Sequence, residues 1–431
     1  MANITVDFSK RIGKIKPMHG VGQGPFTGCD FSMFHYLKQA GIPFSRLHDV
    51  GGVYGLNMFA DIPNIFRNFD ADPYEEGSYD FAFTDLLINA LVENGVEPFF
   101  RLGVTIENYA QIRALRIYPP ADNKKWAIIC EHIIRHYTQG WANGFYHNIR
   151  YWEIWNEPDN FEDIYENQMW RGTKEQYYAL YGVASKHLKK CFPHLMIGGY
   201  GSCGFYSITD SYMKTAKSSP RLDYFIEFFD GFLDYIKEND CPLDFFSWHS
   251  YDGIDNNKKY AAYARKRLDA AGYTKTETSC NEWNYKIELK GTNEHGAIIG
   301  AMLLAFQDMP LDNAMFYDAG IGMSSYASLF NPITKEPYPA YYAFTAFNEL
   351  YKMDKQTHLT CDTDGLYSVA ATNGKEKRMV VVNTTESDLP LELCADISIT
   401  KCLLTANGEN EKEISLPKIL PKHSILTVLG N

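Results

Sequence analysis

The residues Tyr151-Trp152-Glu153-Ile154-Trp155-Asn156-Glu157-Pro158 form an apolar and aromatic run that ends in a turn motif. A short run of this composition is typical of a strand buried in a sheet. Pro158 has no N–H group and cannot continue a central strand, so we predict that the strand ends at about Asn156. Glu157 then becomes the first residue of the loop that follows the strand.

Strand and helix patterns alternate on both sides of this stretch. Predicted strands lie near residues 15–20, 43–48, 97–102, 150–156, 195–200, 243–249, 276–282 and 313–317. Segments of helical period lie at residues 30–40, 80–94, 123–137, 173–191, 222–237, 256–271, 295–309 and 340–351. Eight such units predict an α/β fold, a parallel sheet closed into a (β/α)8 TIM barrel. Functional side chains of such barrels lie at the carboxyl ends of the strands, which is where Glu157 is predicted.

An open, doubly wound sheet would show the same alternation. That fold usually carries a glycine-rich phosphate loop after its first strand. Residues 20–25 come closest to such a loop, but Pro25 and the missing third spaced glycine make the match poor. We therefore predict that residues 20–25 form a flexible loop at the mouth of a closed barrel.

The pattern changes after about residue 355. Short β runs lie at residues 366–372, 378–383, 397–404 and 425–429, and Asn373-Gly374 and Asn407-Gly408 are hairpin signals. We predict a barrel domain at residues 14–354 and a small C-terminal β-sandwich domain at residues 355–431, completed by a strand from residues 1–13.

Charge and cysteine usage limit the partners and the compartment. The net charge of −12 argues against nucleic acid or an anionic membrane as the main partner. The nine cysteines are scattered and never spaced Cys-x-x-Cys, so we expect reduced thiols and a cytoplasmic protein. No apolar signal segment is visible at the N-terminus, although a chain that had lost a signal peptide would look the same. The sequence leaves open whether the protein forms a homo-oligomer.

A second carboxylate lies at the end of the predicted seventh strand. It is Glu282 in the stretch Cys280-Asn281-Glu282-Trp283. Strands four and seven lie on opposite sides of a barrel mouth, so Glu157 and Glu282 can face each other across a bound sugar. Retaining glycosidases need such a pair about 5–5.5 Å apart, one residue as nucleophile and the other as acid and then base.

The surroundings of the two carboxylates suggest their roles. An anionic Glu282 would raise the pKa of Glu157 and keep it protonated, as an acid requires. Tyr251, after the sixth strand, could donate a hydrogen bond that keeps Glu282 ionised. Asn156 could bind the 2-hydroxyl of the sugar, and Trp283 is a candidate for stacking on the sugar ring.

Three motifs resemble clan A retaining glycosidases: Trp155-Asn156-Glu157-Pro158 on strand four, His249-Ser250-Tyr251 after strand six, and Glu282 on strand seven. Within that clan the chain is most similar to family 39, the β-xylosidase and α-L-iduronidase family. Supporting stretches are His19-Gly20-Val21, Arg46-Leu47-His48-Asp49, Gly198-Gly199 and the segment from Phe330-Asn331-Pro332 to Pro339-Ala340-Tyr341.

The resemblance implies a retaining glycoside hydrolase that needs no cofactor and no metal. It makes Glu157 the acid/base and Glu282 the nucleophile, which forms a covalent glycosyl intermediate. The implied substrate-site residues are His48, Asn156, His249 and Tyr251. Asp318, after strand eight, could bind a further sugar hydroxyl, although its alignment with the family is open.

The expected substrate is an oligosaccharide or glycoside of a neutral sugar, with β-xylosidase activity of the exo type as the first expectation. An α-L-iduronidase would need a cation shortly after the sixth-strand histidine, whereas Ser250 and Tyr251 follow His249 here and the next lysine is Lys258. A β-galactosidase, an α-L-arabinosidase, an α-L-iduronidase or an endo-acting enzyme stays open.

Two other classes of barrel protein compete with this expectation. A metal-dependent hydrolase usually has His-x-His near the end of the first strand, and only His19 is present there. A non-catalytic sugar-binding barrel would most simply have lost one of the two carboxylates, and this chain has both.

Overall fold

The computed structural model describes residues 2–50, 60–107, 116–322 and 324–431. An N-terminal strand, β1 (Ala2–Lys14), precedes a closed parallel barrel whose eight strands follow one another in chain order. The barrel strands are β2 (Gly20–Gly22), β3 (Phe44–Arg46), β4 (Glu97–Leu102), β5 (Tyr151–Ile154), β6 (Met196–Ser202), β7 (Phe245–Ser250), β8 (Glu277–Trp283) and β9 (Asn313–Phe316). The predicted α/β class and TIM barrel are therefore confirmed.

Helices separate the barrel strands and cover the outside of the barrel. They are α1 (Phe34–Gln39), α2 (Ile62–Ile65), α3 (Ala82–Glu93), α4 (Asn123–Gln139), α5 (Lys174–Cys191), α6 (Ser219–Glu238), α7 (Ile254–Ala271), α8 (Asn293–Gln307) and α9 (Pro339–Tyr351). No helix in the described part of the chain has the length and apolar character needed to cross a bilayer.

The inside of the barrel is built in layers because alternate residues of a strand face the same side. The lower layer is apolar and contains Phe44, Phe99, Tyr151, Phe245 and Met315. Two residues further along four of these strands comes a polar layer that contains Arg46, Arg101, Glu153 and Ser247. The catalytic candidates lie above this polar layer, at the carboxyl ends of the strands.

The first barrel strand begins later than the sequence predicts. Residues 15–19 precede it, and Pro17 within them cannot donate to a sheet. The strand starts at Gly20, where a Cβ atom would lie 2.8 Å from the side chain of Met315 and 2.9 Å from the carbonyl oxygen of Ala314. Glycine is therefore required for β2 to pair with β9. The prediction that residues 20–25 are all loop is wrong for Gly20–Gly22.

The C-terminal part forms a nine-stranded mixed sheet that includes β1. The other strands are β10 (Lys355–Cys361), β11 (Leu366–Thr372), β12 (Lys377–Asn383), β13 (Leu389–Ala395), β14 (Ile399–Ala406), β15 (Glu409–Ile414), β16 (Ile419–Leu420) and β17 (Ser424–Gly430). The strands lie in the order β15–β14–β17–β12–β11–β10–β1–β13–β16. Both predicted hairpins join neighbouring strands, β11 to β12 and β14 to β15. The sheet curls around its own core, as expected for the small β-sandwich.

Successive residues of a strand face opposite sides of the sheet, and this explains how the sheet packs against the barrel. On β12, Met379 and Val381 pack inside the sheet domain, whereas Val380 and Val382 belong to the large core shared with the barrel helices. The sheet contacts α8 and α9 through this second face. We propose the division into residues 14–354 and residues 355–431 with 1–13 for the two units.

Candidate active site

The turn after β5 places Glu157 at the mouth of the barrel. Trp155 and Glu157 have positive φ angles of 73° and 44°. This backbone conformation is energetically unfavourable for residues with bulky side chains. The backbone holds them there, because Trp155 N–H donates to Leu102 O at 2.8 Å and Glu157 N–H donates to Gly201 O at 2.9 Å. The strand ends at Ile154, two residues before the predicted end, and the turn that follows is held by hydrogen bonds to both neighbouring strands.

Both oxygens of the Glu157 carboxylate have a side-chain partner. The Oε1 atom lies 2.8 Å from Nδ1 of His249, which is fully buried at the end of β7. The Oε2 atom accepts a hydrogen bond from Nδ2 of Asn160 at 2.9 Å. Asn160 follows three residues after Glu157 on the same turn, and the sequence interpretation gave it no role.

Glu282, at the end of β8, faces the same space from the other side of the barrel. Its Oε1 accepts a hydrogen bond from the Tyr251 hydroxyl at 2.5 Å, as the sequence predicts. Its Oε2 lies 3.1 Å from Nη1 of Arg46 and 3.6 Å from Nδ1 of His249. A carboxylate oxygen of Glu157 lies within 4.8 Å of one of Glu282. This separation is close to that of retaining glycosidases and below the 6.5–9.5 Å typical of inverting ones.

Arg46 is the largest omission from the sequence interpretation of the site. Its buried guanidinium donates to Glu282 and, through Nη2, to Oδ1 of Asn156 at 2.5 Å. Asn156 is thereby oriented beside the two glutamates. An arginine within an otherwise apolar barrel strand signals a buried anion, because an unpaired buried charge is very costly. That signal could have identified Arg46 from the sequence.

The pKa of Glu157 shifts in the direction opposite to our expectation. Burial favours the neutral acid, but the hydrogen bond and positive charge of His249 and the hydrogen bond from Asn160 outweigh it, so the pKa of Glu157 is lowered. The expected rise was based on repulsion from Glu282 alone. The imidazole between the two carboxylates was not foreseen, and it reverses the sign.

The pKa values of Glu282 and His249 are both raised. Burial raises the pKa of Glu282, and the charge of Glu157 adds to this effect, against the charges of His249 and Arg46. Burial acts against a charged imidazole, but the two carboxylates raise the pKa of His249. The lowered pKa of Glu157 and the raised pKa of His249 both favour the proton on the imidazole across the 2.8 Å contact.

The predicted sugar-binding residues His48 and Asp318 also reach this region. His48 is buried beside Asp49, with 3.2 Å between Nε2 and Oδ1. Burial, together with the charges of Arg46, Arg101 and His249, lowers the pKa of His48 well below its usual value. Burial raises the pKa of Asp318 to about 7, and the charges of Asp49 and Glu282 contribute to the rise. Asp318 and Asp49 thus add two carboxyl groups beside Glu282.

Trp283 does not reach the site, and the stacking prediction is wrong. Its ring is fully buried and packs edge-on against Phe306 of α8 and Phe316 of β9. The pairing of β7 with β8 shifts in register between Trp248 and His249. Because of this shift, Glu282 faces the barrel mouth directly after the inward-facing Asn281, and Trp283 points outward into the helix layer.

Glu157, His249 and Glu282 are poorly suited to bind a metal ion. One ligand atom each from Glu157, His249 and Glu282 lies within 4.8 Å of the others, which is close enough to surround a cation. However, Glu282 already accepts from Tyr251 and from the positively charged Arg46, which would repel a divalent ion. The arrangement suits two carboxylates with a protonated imidazole beside them better than a metal centre, and the absence of a metal stays a prediction.

The Tyr251→Phe variant tests the hydrogen bond to Glu282. Loss of a donor to a charged acceptor should lower kcat/KM about 10- to 100-fold. Without this donor the pKa of Glu282 rises, so activity should be lost at a higher pH as the solution is acidified. The measurement is the pH profile of kcat/KM. Tyr212→Phe is the matched control, because the Tyr212 hydroxyl donates to the Tyr251 carbonyl and not to a glutamate; an equal effect there would contradict the prediction.

Comparison with known proteins gives relatives that match part of the chain. The chain is 24% identical over 225 residues to a β-xylosidase of Geobacillus stearothermophilus, which covers 50% of this chain and 39% of that protein. It is 27% identical over 265 residues to a β-xylosidase of Caldicellulosiruptor saccharolyticus, covering 58% of this chain and 46% of that protein. The matched regions therefore span less than half the length of either relative.

The whole fold is shared with solved structures. The glucosidase from Croceicoccus marinus aligns over 100% of this chain and 99% of its own, with a TM-score of 0.79 and 19% sequence identity. Residues 38–276, more than half of the chain, match the family described as Glycosyl hydrolases family 39. This region includes β5 with Glu157 and β7 with His249. The chain therefore belongs to glycosyl hydrolases family 39.

Proposed function

We propose that this protein is a retaining glycoside hydrolase in which Glu282 is the nucleophile and Glu157 the acid/base. The observation that carries the proposal is the pair of carboxylates, Glu282 buried and Glu157 partly buried, with oxygens within 4.8 Å of each other. Their partners differ in a way that separates the roles. Glu282 has a fixed cation and a hydroxyl donor that favour its anion against the effect of burial, whereas Glu157 lies 2.8 Å from His249, an imidazole that can hold the proton that the acid must deliver.

The first chemical step forms a covalent intermediate. A Glu282 oxygen attacks the anomeric carbon, and the bond from that carbon to the leaving oxygen breaks. The leaving oxygen takes the proton held by the Glu157–His249 pair, so it departs as a neutral alcohol. Asn156, held by Arg46, is placed to bind the 2-hydroxyl, a contact that strengthens in the transition state.

The second step returns the enzyme to its starting state. A water molecule attacks the anomeric carbon from the side that the leaving group vacated, and its proton passes to Glu157. The bond between the sugar and Glu282 then breaks. Two displacements on opposite faces give a product with the configuration of the substrate.

The charges around the site favour a neutral sugar. Asp49 and Asp318 lie near Glu282, and burial raises the pKa of each to about 7, so a uronate carboxylate would be repelled by ionised Glu282 and, above about pH 7, by the two aspartates as well. Among the described residues, Arg46 is the cation at the centre of the site, and it is already bound to Glu282, Glu153 and Asn156. We therefore propose a neutral pyranoside as substrate, and the names of the two bacterial relatives favour a β-xyloside.

The substrate can be identified with a panel of nitrophenyl glycosides. It should include the β-xyloside, β-glucoside, β-galactoside, α-L-arabinoside and α-L-iduronide. We expect the highest kcat/KM on the β-xyloside and no turnover of the iduronide. Turnover of polysaccharides alone would indicate endo action. If no glycoside or polysaccharide is hydrolysed, the proposal fails and a binding protein becomes the better interpretation.

A control preparation shows whether any measured activity comes from contaminating glycosidases. The double variant Glu157→Gln, Glu282→Gln changes both carboxylates to amides of the same size and should be purified in parallel. Activity that persists in it at the wild-type level does not come from the proposed site.

A further inference from the structure

A third glutamate, Glu153, lies below the two catalytic candidates and has no part in the chemistry described above. It is on β5, four residues before Glu157, and is fully buried. It faces the polar layer inside the barrel. A buried carboxylate at this position is costly unless it is paired and fully hydrogen-bonded.

Both oxygens of Glu153 are bound by side chains from three other barrel strands. The Oε2 atom accepts from Nε of Arg46 on β3 at 2.8 Å and lies 2.8 Å from Nη2 of the same guanidinium. The Oε1 atom accepts from the Ser247 hydroxyl on β7 at 2.6 Å and from Nδ2 of Asn281 on β8 at 2.7 Å. Glu153 therefore joins strands on both sides of the barrel interior.

The guanidinium held by Glu153 is the one that serves the catalytic residues. Arg46 presents its Nε edge to Glu153, its Nη1 to Glu282 and its Nη2 to Asn156. Glu153 thus fixes the plane of the guanidinium from the lower side, and the guanidinium in turn holds Glu282 and Asn156 on its upper side. Arginine is suited to such a role because its donors form a rigid, planar fork.

We propose that Glu153 is a positioning residue that holds Arg46 in place between Glu282 and Asn156 and shares its positive charge. The inference deepens the proposed function and rests on it. Arg46 is paired with two carboxylates, Glu153 and Glu282, so its positive charge is divided between them. Arg46 thus favours the anion of Glu282 without binding it so strongly that it loses its reactivity toward the anomeric carbon.

Removal of the Glu153 charge should act on Glu282 through Arg46. In Glu153→Gln, Glu282 would be the carboxylate that remains bound to the guanidinium, and the charge of Glu157 would act on it without a direct hydrogen bond. The pKa of Glu282 would then fall, because an unshared cation favours its anion. The other charged or titratable groups that face Glu282 are Glu157, His249, Tyr251, Asp49, Tyr317, Tyr326 and Asp318, and the substitution changes none of them.

The test is the pH profile of kcat/KM for Glu153→Gln on the best glycoside of the wild-type enzyme. We expect kcat/KM to fall about 10²-fold, because Arg46 and Asn156 are no longer held in their positions beside Glu282. We also expect the acid limb, which reports the free nucleophile, to move to lower pH by about one unit. This shift is opposite to that expected for Tyr251→Phe. Glu153→Asp keeps the charge and should restore the wild-type acid limb at reduced kcat.

Glu277→Gln is the matched control, since Glu277 is a half-buried glutamate at the opposite end of β8 that accepts from the Tyr151 hydroxyl at 2.7 Å. It should leave the acid limb in place. If Glu153→Gln keeps the wild-type acid limb and only lowers the unfolding temperature as the control does, its role is structural and the proposal is wrong. An inactive wild-type enzyme would instead reject the proposed function.

Discussion

The Glu282→Gly variant is expected to lose turnover of nitrophenyl glycosides by about 10⁵-fold, because the attacking group is gone while the rest of the site stays in place. Added azide should partly restore activity. The azide ion fits the space left by the carboxylate and attacks the anomeric carbon from the same face. The product is then a glycosyl azide of inverted configuration, which NMR distinguishes from its anomer.

The azide product also serves as the control for folding. A variant that is rescued by azide must still bind the substrate and orient it, so its inactivity cannot come from a collapsed site. Turnover within tenfold of the wild-type rate, without azide, would show that Glu282 is not the nucleophile.

The Glu157→Ala variant is expected to discriminate between leaving groups. A poor leaving group such as phenol needs a proton as the bond breaks, and loss of a general acid should lower its kcat/KM by about 10³-fold. A dinitrophenyl group leaves without protonation, so its kcat/KM should change little. The measurement is kcat/KM for a series of aryl glycosides that differ only in the leaving group.

Azide should act on this variant in a different way. The glycosyl intermediate on Glu282 forms from activated substrates but lacks the base that activates water. Azide needs no base, so it should accelerate turnover and give a glycosyl azide of retained configuration. An equal loss for good and poor leaving groups would contradict the role of Glu157. The two variants together assign both roles because their azide products have opposite configurations.

The two glutamates and Tyr251 could be predicted because their positions follow from local sequence. Pro158 ends β5, and this places Glu157 in the loop at the barrel mouth. Glu282 ends the seventh barrel strand, and Tyr251 follows the sixth by one residue, so both lie at the same edge. Positions of this kind depend on strand order and chain direction, which the alternating pattern gives.

The orientation of Trp283 could not be predicted from an alternating pattern. Strand periodicity assigns neighbouring residues to opposite faces, so Asn281 and Glu282 should not both point inward. A register shift against β7 places both in the barrel interior and turns Trp283 outward. The shift depends on how two strands pair, and the sequence of either strand alone does not contain it.

The electrostatics of the site depend on distances that the sequence does not provide. The prediction for Glu157 considered one neighbour, Glu282, whereas the imidazole of His249 lies closer, at 2.8 Å. A charged residue in an apolar strand signals a buried ion pair, but the partners of Arg46 and Glu153 could not be read from the sequence for the same reason. Their chemistry comes from contacts across the barrel between residues more than 90 positions apart in the chain.

The most direct test of the two-glutamate mechanism is NMR spectroscopy of the first product formed from the best aryl glycoside, recorded before the free sugar mutarotates. Carboxylate oxygens within 4.8 Å of each other fit the closer spacing of retaining glycosidases, in which the second carboxylate attacks the sugar directly and not through a water molecule. We therefore predict that the first anomer has the configuration of the substrate. A first product of inverted configuration would show that hydrolysis occurs in a single displacement and that Glu282 does not form a covalent intermediate.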